Sequence, residues 1–303
     1  MPVEAVTPRR ISPARAWLLA ARPKTLTAAL APVVAGTGLA AFHDVAAALP
    51  ALAALVGAAL IQIGTNLAND YYDFVRGGDT ETRVGPMRVT QAGILAPEQV
   101  RRGMIVVLSL AMVVGTYLVW VGGWPVVWIG LASVTCAVLY TGGPYPLAYH
   151  GLGDIFVFVF FGLIAVSGTF YVQGGAWPVD AWLAGVGLGA LSTAILVVNN
   201  LRDIGTDAEA GKRTLAVRIG VGGTRAEFLV LLGTGLAVPL LGVLGLGWPP
   251  AVLSALVSGA FMIAPVRTVF SYERPADLLP TLGQTARVVA VYGVTLGLGL
   301  AFG

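Results

Sequence analysis

The chain has 303 residues, 57% of them hydrophobic and only 11% charged, with 40 glycines and a formal net charge of +3. A soluble domain carries roughly 25% charged residues, so this composition excludes an ordinary globular protein and points to an all-α polytopic membrane protein. The small net charge gives no sign of nucleic-acid binding, and a lone cysteine, Cys136, excludes an intrachain disulfide.

Residues 1–16 hold charges and prolines but no apolar core, which reads as a polar N-terminal tail rather than a cleaved signal peptide. Residues 17–303 read as a single transmembrane domain. A membrane-crossing helix needs about 20 apolar residues. The sequence predicts nine, at 25–42, 45–69, 103–121, 124–140, 154–172, 180–202, 227–247, 249–267 and 282–302. The fourth is short. Breaks fall at 122–125, 141–146, 174–178 and 247–250, and Trp-Pro at three of them suits an interfacial aromatic before a helix start.

The basic residues orient these spans. Arg9, Arg10, Arg15, Arg22 and Lys24 precede or open the first. Arg76, Arg83, Arg88, Arg101 and Arg102 lie between the second and third. Arg202, Lys212, Arg213, Arg218 and Arg225 lie around the connection between the sixth and seventh, and Arg267 and Arg274 between the eighth and ninth. The connections 43–50, 121–124, 173–180 and 246–250 carry none. Nine spans put every basic segment on one side, which the positive-inside rule makes cytoplasmic. The expected topology has the N-terminus cytoplasmic and the C-terminus outside; 141–153 is inside without a Lys or Arg.

Two acidic stretches then fall on the cytoplasmic face, at the ends of spans two and six. The first runs from Asn66 through Asn69 and Asp70 to Asp73. The second runs from Asn199 through Arg202 and Asp203 to Asp207. Gln62, Asn66, Asn69, Asp70 and Asp73 recur at helical spacing and share a face. So do Asn199, Arg202 and Asp203, with Asp207 one turn on if the helix continues through Gly205. The loops that follow, about 66–100 and 199–224 with their motifs, are the longest and most polar in the chain, as functional loops often are. If the two helices are neighbours, Asp70, Asp73, Asp203 and Asp207 converge. Carboxylate and amide oxygens suit Mg²⁺, which completes its shell with water and substrate phosphates. Without a Cys/His cluster, zinc is excluded. Arg76, Arg83, Arg88, Arg202, Lys212 and Arg213 suit a phosphorylated ligand. Two matched ionisable stretches rising into apolar helices point to a site rather than to ordinary juxtamembrane loops.

Other features read more simply. His43 falls in an outer connection and is expected to be solvated. His150 lies in the 141–153 loop as a possible substrate contact. The glycines from Gly185 to Gly189 lie inside a span and predict close helix packing, not a nucleotide loop. No P-loop, nucleophile elbow or zinc-protease motif is present.

With these residues in view, the chain resembles the UbiA superfamily of intramembrane prenyltransferases, and within it the 1,4-dihydroxy-2-naphthoate polyprenyltransferase branch. The resemblance spans nearly the whole chain. It rests on 22–25 (Arg-Pro-Lys-Thr), 64–73, 83–93, 140–154 and 199–220, with Asp79 following Gly77 and Gly78, and with Gly-Lys-Arg-Thr-Leu-Ala-Val-Arg at 211–218. The chain departs from that branch near Tyr145 and at Asp154, where Lys and Glu are common.

The resemblance implies nine helices around a central cavity, in a bacterial plasma membrane (an inner membrane where there are two) with the site facing the cytoplasm. It implies a polyprenyl diphosphate donor and 1,4-dihydroxy-2-naphthoate as acceptor, giving demethylmenaquinone, CO₂ and diphosphate in menaquinone biosynthesis. It also implies roles. Asp70, Asp73, Asp203 and Asp207 would be catalytic and hold Mg²⁺, with Asn66, Asn199 and Asp79 as further ligands. Arg88, Lys212, Arg213, Asn66 and Asn199 would bind diphosphate, and Lys24, Arg22 and His150 the acceptor. Two alternatives stand beside this: the same chemistry on 4-hydroxybenzoate, homogentisate or a tetrapyrrole, and a secondary transporter.

Overall fold

The computed structural model describes residues 11–77, 84–85 and 87–303, so Asp79 and Arg83 lie outside the described residues. Among the described residues every regular element is helical. A short helix, α1 (Pro13–Ala21), passes through Arg22, in left-handed backbone at φ 50, into α2 (Pro23–Phe42). Then come α3 (Ala48–Val75), α4 (Pro97–Gly122) and α5 (Trp124–Leu139). The next span, Gly153–Gly174, joins α6 (Gly153–Phe158) to α7 (Ala165–Gly174) through a π-helical stretch, Val159–Ile164. Two long helices follow, α8 (Val179–Glu209) and α9 (Leu215–Gly245). Finally α10 (Ser258–Ser271) and α11 (Leu279–Phe302) each continue a 3₁₀ stretch, forming the spans Pro250–Ser271 and Pro275–Phe302.

Among the described residues, 8 helices are long and apolar enough to cross a membrane. The remaining apolar helix, α5, has 16 residues. At about 1.5 Å per residue it reaches roughly 24 Å, short of a hydrocarbon core of about 30 Å. The two motif helices outrun the apolar stretches that announced them. Hydropathy falls where side chains become polar, but backbone hydrogen bonding continues. So α3 runs on through Asp73 to Val75, and α8 runs through Gly205 and Asp207 to Glu209. The loop expected within 199–224 shrinks to 210–214. Gly220, at φ 69, then bends α9 near its start.

The helix at the centre is α8. Leu188, Leu191 and Val198 on it are fully buried, among Leu39 of α2, Phe228 of α9 and Leu296 of α11. Small residues let its neighbours approach closely, the packing mode of membrane helices. A Cβ added to Gly162 would lie 2.4 Å from the carbonyl oxygen of Gly185, and one on Gly189 would lie 2.6 Å from that of Phe158. The 185–189 glycines are therefore a packing face, as their position in a span predicted. Gly189→Leu is expected to separate α8 from the π-helical stretch. Overpacking of this kind typically costs about 1–3 kcal/mol or more. Thermal unfolding of the detergent-solubilised variant, or its loss from the membrane fraction, is the measurement.

A second cluster packs α1 onto α3 and α4. Ala16 and Ala20 meet Leu67, Ala68, Val89 and Val100. Trp120 and Trp124, both exposed, flank the α4–α5 turn, where an interfacial aromatic is expected.

His43 is exposed in its connection, as expected, and also has a partner. Its Nε2 lies 2.6 Å from Oδ2 of Asp180, and its ring stands edge-on to Phe42 and Phe170. The end of α2 meets the start of α8 there. Asp180 is only 7% exposed, so it takes the imidazole as its partner instead of water.

Candidate functional site

The site is built from the ends of α3 and α8 and the loops beside them. These surround one end of a cavity of about 1150 Å³. Most of the rest of its wall is apolar, from residues such as Val33, Ile61, Val126, Phe160, Phe161 and Leu282.

On α3, the faces sort the motif residues. Asn66, Asn69 and Asp73 line the cavity. Asp73 is 3% exposed; Nη2 of Arg88 lies 2.6 Å from its Oδ2, and the Tyr149 hydroxyl donates to its Oδ1 at 3.0 Å. Asp70 turns the other way. Its two oxygens accept from the backbone N–H groups of Val89 (3.1 Å) and Thr90 (3.2 Å). That anchors the segment carrying Arg88, whose Nη1 also donates to the Asn69 carbonyl at 2.6 Å. The Asn66 amide donates to the Ala21 carbonyl and the Thr25 hydroxyl, each at 2.9 Å, and accepts from Gln62 at 3.3 Å. It thus ties down the Arg-Pro-Lys-Thr corner that brings Arg22 and Lys24 to the cavity.

On α8, Asn199, Asp203 and Asp207 all reach the cavity. Arg202 grips Asp203 with two hydrogen bonds, Nε to Oδ1 at 2.7 Å and Nη2 to Oδ2 at 2.6 Å. Nη2 also donates to Asn199 at 2.9 Å. The guanidinium is fully buried. Lys212, just beyond the helix, lies 3.5 Å from Asp207 and 4.7 Å from the centre of the Tyr149 ring.

Tyr149 is the residue that sequence reasoning passed over. It joins the motifs, bonding Asp73 through its hydroxyl, facing Lys212 with its ring and accepting the Arg213 N–H on its carbonyl at 2.8 Å. Burial, then the neighbouring Asp73 charge, pushes its phenol above the ordinary value, so it donates at neutral pH. Its neighbour His150 turns away and stacks on Tyr145, ring centres 3.5 Å apart. Neither His150 nor the Arg213 side chain lines the cavity.

Among the described residues no three His, Cys, Asp or Glu side chains stand close enough to cage a metal by themselves. The motif donors that face the cavity are nevertheless hard oxygens: Asp73, Asp203 and Asp207 with the amides of Asn69 and Asn199. Asp207 lies within electrostatic reach of both Asp203 and Asp73. Each carboxylate carries a cationic partner in this state, Arg88, Arg202 or Lys212. That set fits a hard divalent ion that arrives with an anionic ligand and shares its shell with it.

Fold and site together define a polytopic helical membrane protein with an anion- and cation-handling head on an apolar cavity. A model of the UbiA prenyltransferase family matches residues 29–286, and the chain belongs to that family. It is 41% identical over 290 residues to the 1,4-dihydroxy-2-naphthoate octaprenyltransferase of Mycobacterium tuberculosis, covering 95% of this chain and 97% of that one. With the Escherichia coli protein of the same name it shares 36% identity, covering 97% and 98% of the two chains. A UbiA homolog from Archaeoglobus fulgidus, solved bound to GPP and Mg²⁺, has the same fold, with TM-score 0.70, 15% identity and coverage of 94% and 99%.

Proposed function

We propose that this protein transfers a polyprenyl group from its diphosphate to 1,4-dihydroxy-2-naphthoate, releasing diphosphate and CO₂ and yielding demethylmenaquinol, the hydroquinone form of demethylmenaquinone. The observation that carries this reading is the meeting of Asp73, Asp203 and Asp207 with Arg88 and Lys212 at one end of an otherwise apolar cavity. High identity to naphthoate octaprenyltransferases over almost the full chain supports the acceptor.

Asp73, Asp203 and Asp207, with Asn199, would hold Mg²⁺. Asp70 and Asn66 keep the role of positioning the segments beside it, and Asp79 stays a further candidate ligand. Bound there, Mg²⁺ would neutralise charge collecting on the departing diphosphate. Arg88 and Lys212 bind the diphosphate oxygens, with Arg213 in the adjoining turn. Arg22 and Lys24 meet the naphthoate carboxylate. The apolar wall holds the isoprenoid and keeps water from the allylic cation formed as the C–O bond breaks.

The same reading includes residues 17–303 as one domain crossing a bacterial plasma membrane nine times, with α5 as the short fourth span. The N-terminus and the site then face the cytoplasm. The distribution of Arg and Lys supports this orientation.

The test is purified protein with Mg²⁺, a polyprenyl diphosphate and a panel of aromatic acids, following prenylated product and CO₂ together. Transfer to naphthoate with matching CO₂ is expected; product without CO₂, or none on any acid, would overturn the reading. Within that assay, Tyr149→Phe is expected to lower turnover roughly tenfold, since a hydrogen bond to a charged group contributes about 1.5–3 kcal/mol. His150→Ala should change it little.

A further inference from the structure

One polar group in the cavity has no part in the chemistry above. Asp154 opens α6, lines the cavity and is 6% exposed. Among the described residues, neither of its carboxylate oxygens has a hydrogen-bond partner on another residue. Ser192 of α8 also lines the cavity, 2% exposed, and its hydroxyl is unpartnered too. Tyr140 completes the group: a Cβ added to Gly153 would lie 3.0 Å from its hydroxyl. Of the other ionisable groups, Glu227 of α9 lies within electrostatic reach of Asp154.

A buried carboxylate without a donor is expensive, so such a group is normally completed by a ligand or water. Asp154 lies next to Tyr140, which is within electrostatic reach of Asp73 and Asp207 at the diphosphate end. The same added Cβ on Gly153 would lie 3.3 Å from Leu196, which precedes Asp203 on α8 by about 10 Å of helix at ~1.5 Å per residue. A hydroxyl donor fits here and an anion does not.

We propose that Asp154, beside Tyr140, receives the acceptor's ring hydroxyl next to the attacked carbon and takes its proton as the new bond forms. This rests on the naphthoate reading. The ring carbon bearing the carboxylate bonds to the prenyl C1, whose bond to diphosphate oxygen breaks with the electron pair leaving on oxygen. The adjacent hydroxyl becomes a carbonyl and its proton moves to Asp154. The carboxylate then lies β to that carbonyl. It leaves as CO₂, its bonding pair passes into the ring, and the oxygen recovers the proton from Asp154. No outside acid, base or oxidant is needed.

The test measures kcat against pH on 1,4-dihydroxy-2-naphthoate in purified full-length wild type, Asp154→Asn and Asp154→Glu. General-base catalysis contributes typically 10²–10⁴-fold. Asp154→Asn is therefore expected to lose about 100-fold in kcat together with the acidic limb of the wild-type profile, with donor KM within about threefold. Asp154→Glu should regain much of both. A profile of unchanged shape, merely lowered in Asp154→Asn, is what a structural role gives, and it overturns the proposal. If Asp154→Asn does not fold, Asp154→Glu decides: an acidic limb displaced from that of the wild type supports the proposal and an unmoved one sinks it. A wild type inactive on naphthoate but active on another hydroxy acid fails the acceptor reading alone, and the same profiles on that acid then test Asp154.

Discussion

Asp73→Asn is expected to lower prenyl transfer by about 10³-fold, the upper range for removing one preorganised charge-stabilising group. The carboxylate stands where both motifs meet, accepting from Arg88 at 2.6 Å and Tyr149 at 3.0 Å. Asparagine keeps its size and one acceptor oxygen but not its charge. The Arg88 guanidinium, only 8% exposed, would then be relieved of the Asp73 charge and bind donor diphosphate no worse. The deficit should therefore fall on kcat, with donor KM little changed. Asp70→Asn offers the contrast. Asp70 holds two backbone N–H groups and not the cavity, so its loss loosens the segment that presents Arg88. The expected result there is a raised donor KM, a lowered melting temperature and a kcat loss well below that of Asp73→Asn. Steady-state kinetics on matched membrane preparations separates the two. Equal effects would show that Asp70 and Asp73 act alike, and near-normal turnover in Asp73→Asn would remove Asp73 from the site.

This contrast marks what the sequence could convey. Apolar length and charge placement identify the spans, and helical spacing identifies the motif faces, because both follow from periodic backbone geometry. Spacing does not say which part of a polar face meets the cavity. Asn69 and Asp70 are adjacent, about 100° apart on a helix. One lines the cavity while the other holds a loop. The same limit applies where the backbone is not periodic. In the short 3₁₀ turn Leu147–His150, one position separates Tyr149, on Asp73, from His150, on Tyr145. Beyond the end of α8, it separates Lys212 from Arg213. The signal for Tyr149 is an amphipathic aromatic in a connection, 141–153, with no Lys or Arg, but only tertiary contact gives it a partner. His43 is similar: its loop position gave its exposure, and only the meeting of α2 with α8 supplies Asp180.

Arg202→Met is expected to destabilise the protein by about 3–5 kcal/mol, the cost of breaking a buried ion pair by removing one partner. Methionine fills much of the stem's volume but leaves Asp203 without its two-pronged donor and Asn199 without its 2.9 Å hydrogen bond. Since the guanidinium is fully buried, solvent cannot take its place. The variant also separates two roles for Asp203. If the carboxylate serves only as Arg202's counter-ion, Arg202→Met with Asp203→Asn should recover most of the lost stability, and Mg²⁺ should shift the melting of both variants no more than that of the wild type. If Asp203 also holds Mg²⁺, the single variant presents a carboxylate relieved of its competing cation. A ligand that binds the folded state stabilises by RT ln(1 + [L]/Kd), about 2.7 kcal/mol at 100 Kd. Mg²⁺ with diphosphate should then raise the melting temperature of Arg202→Met more than that of the wild type, and the double variant should lose that response. The double variant would regain stability without regaining turnover. Equal Mg²⁺ responses in all three proteins would confine Asp203 to the structural pair and leave Asp73 and Asp207 as the carboxylates of the metal site.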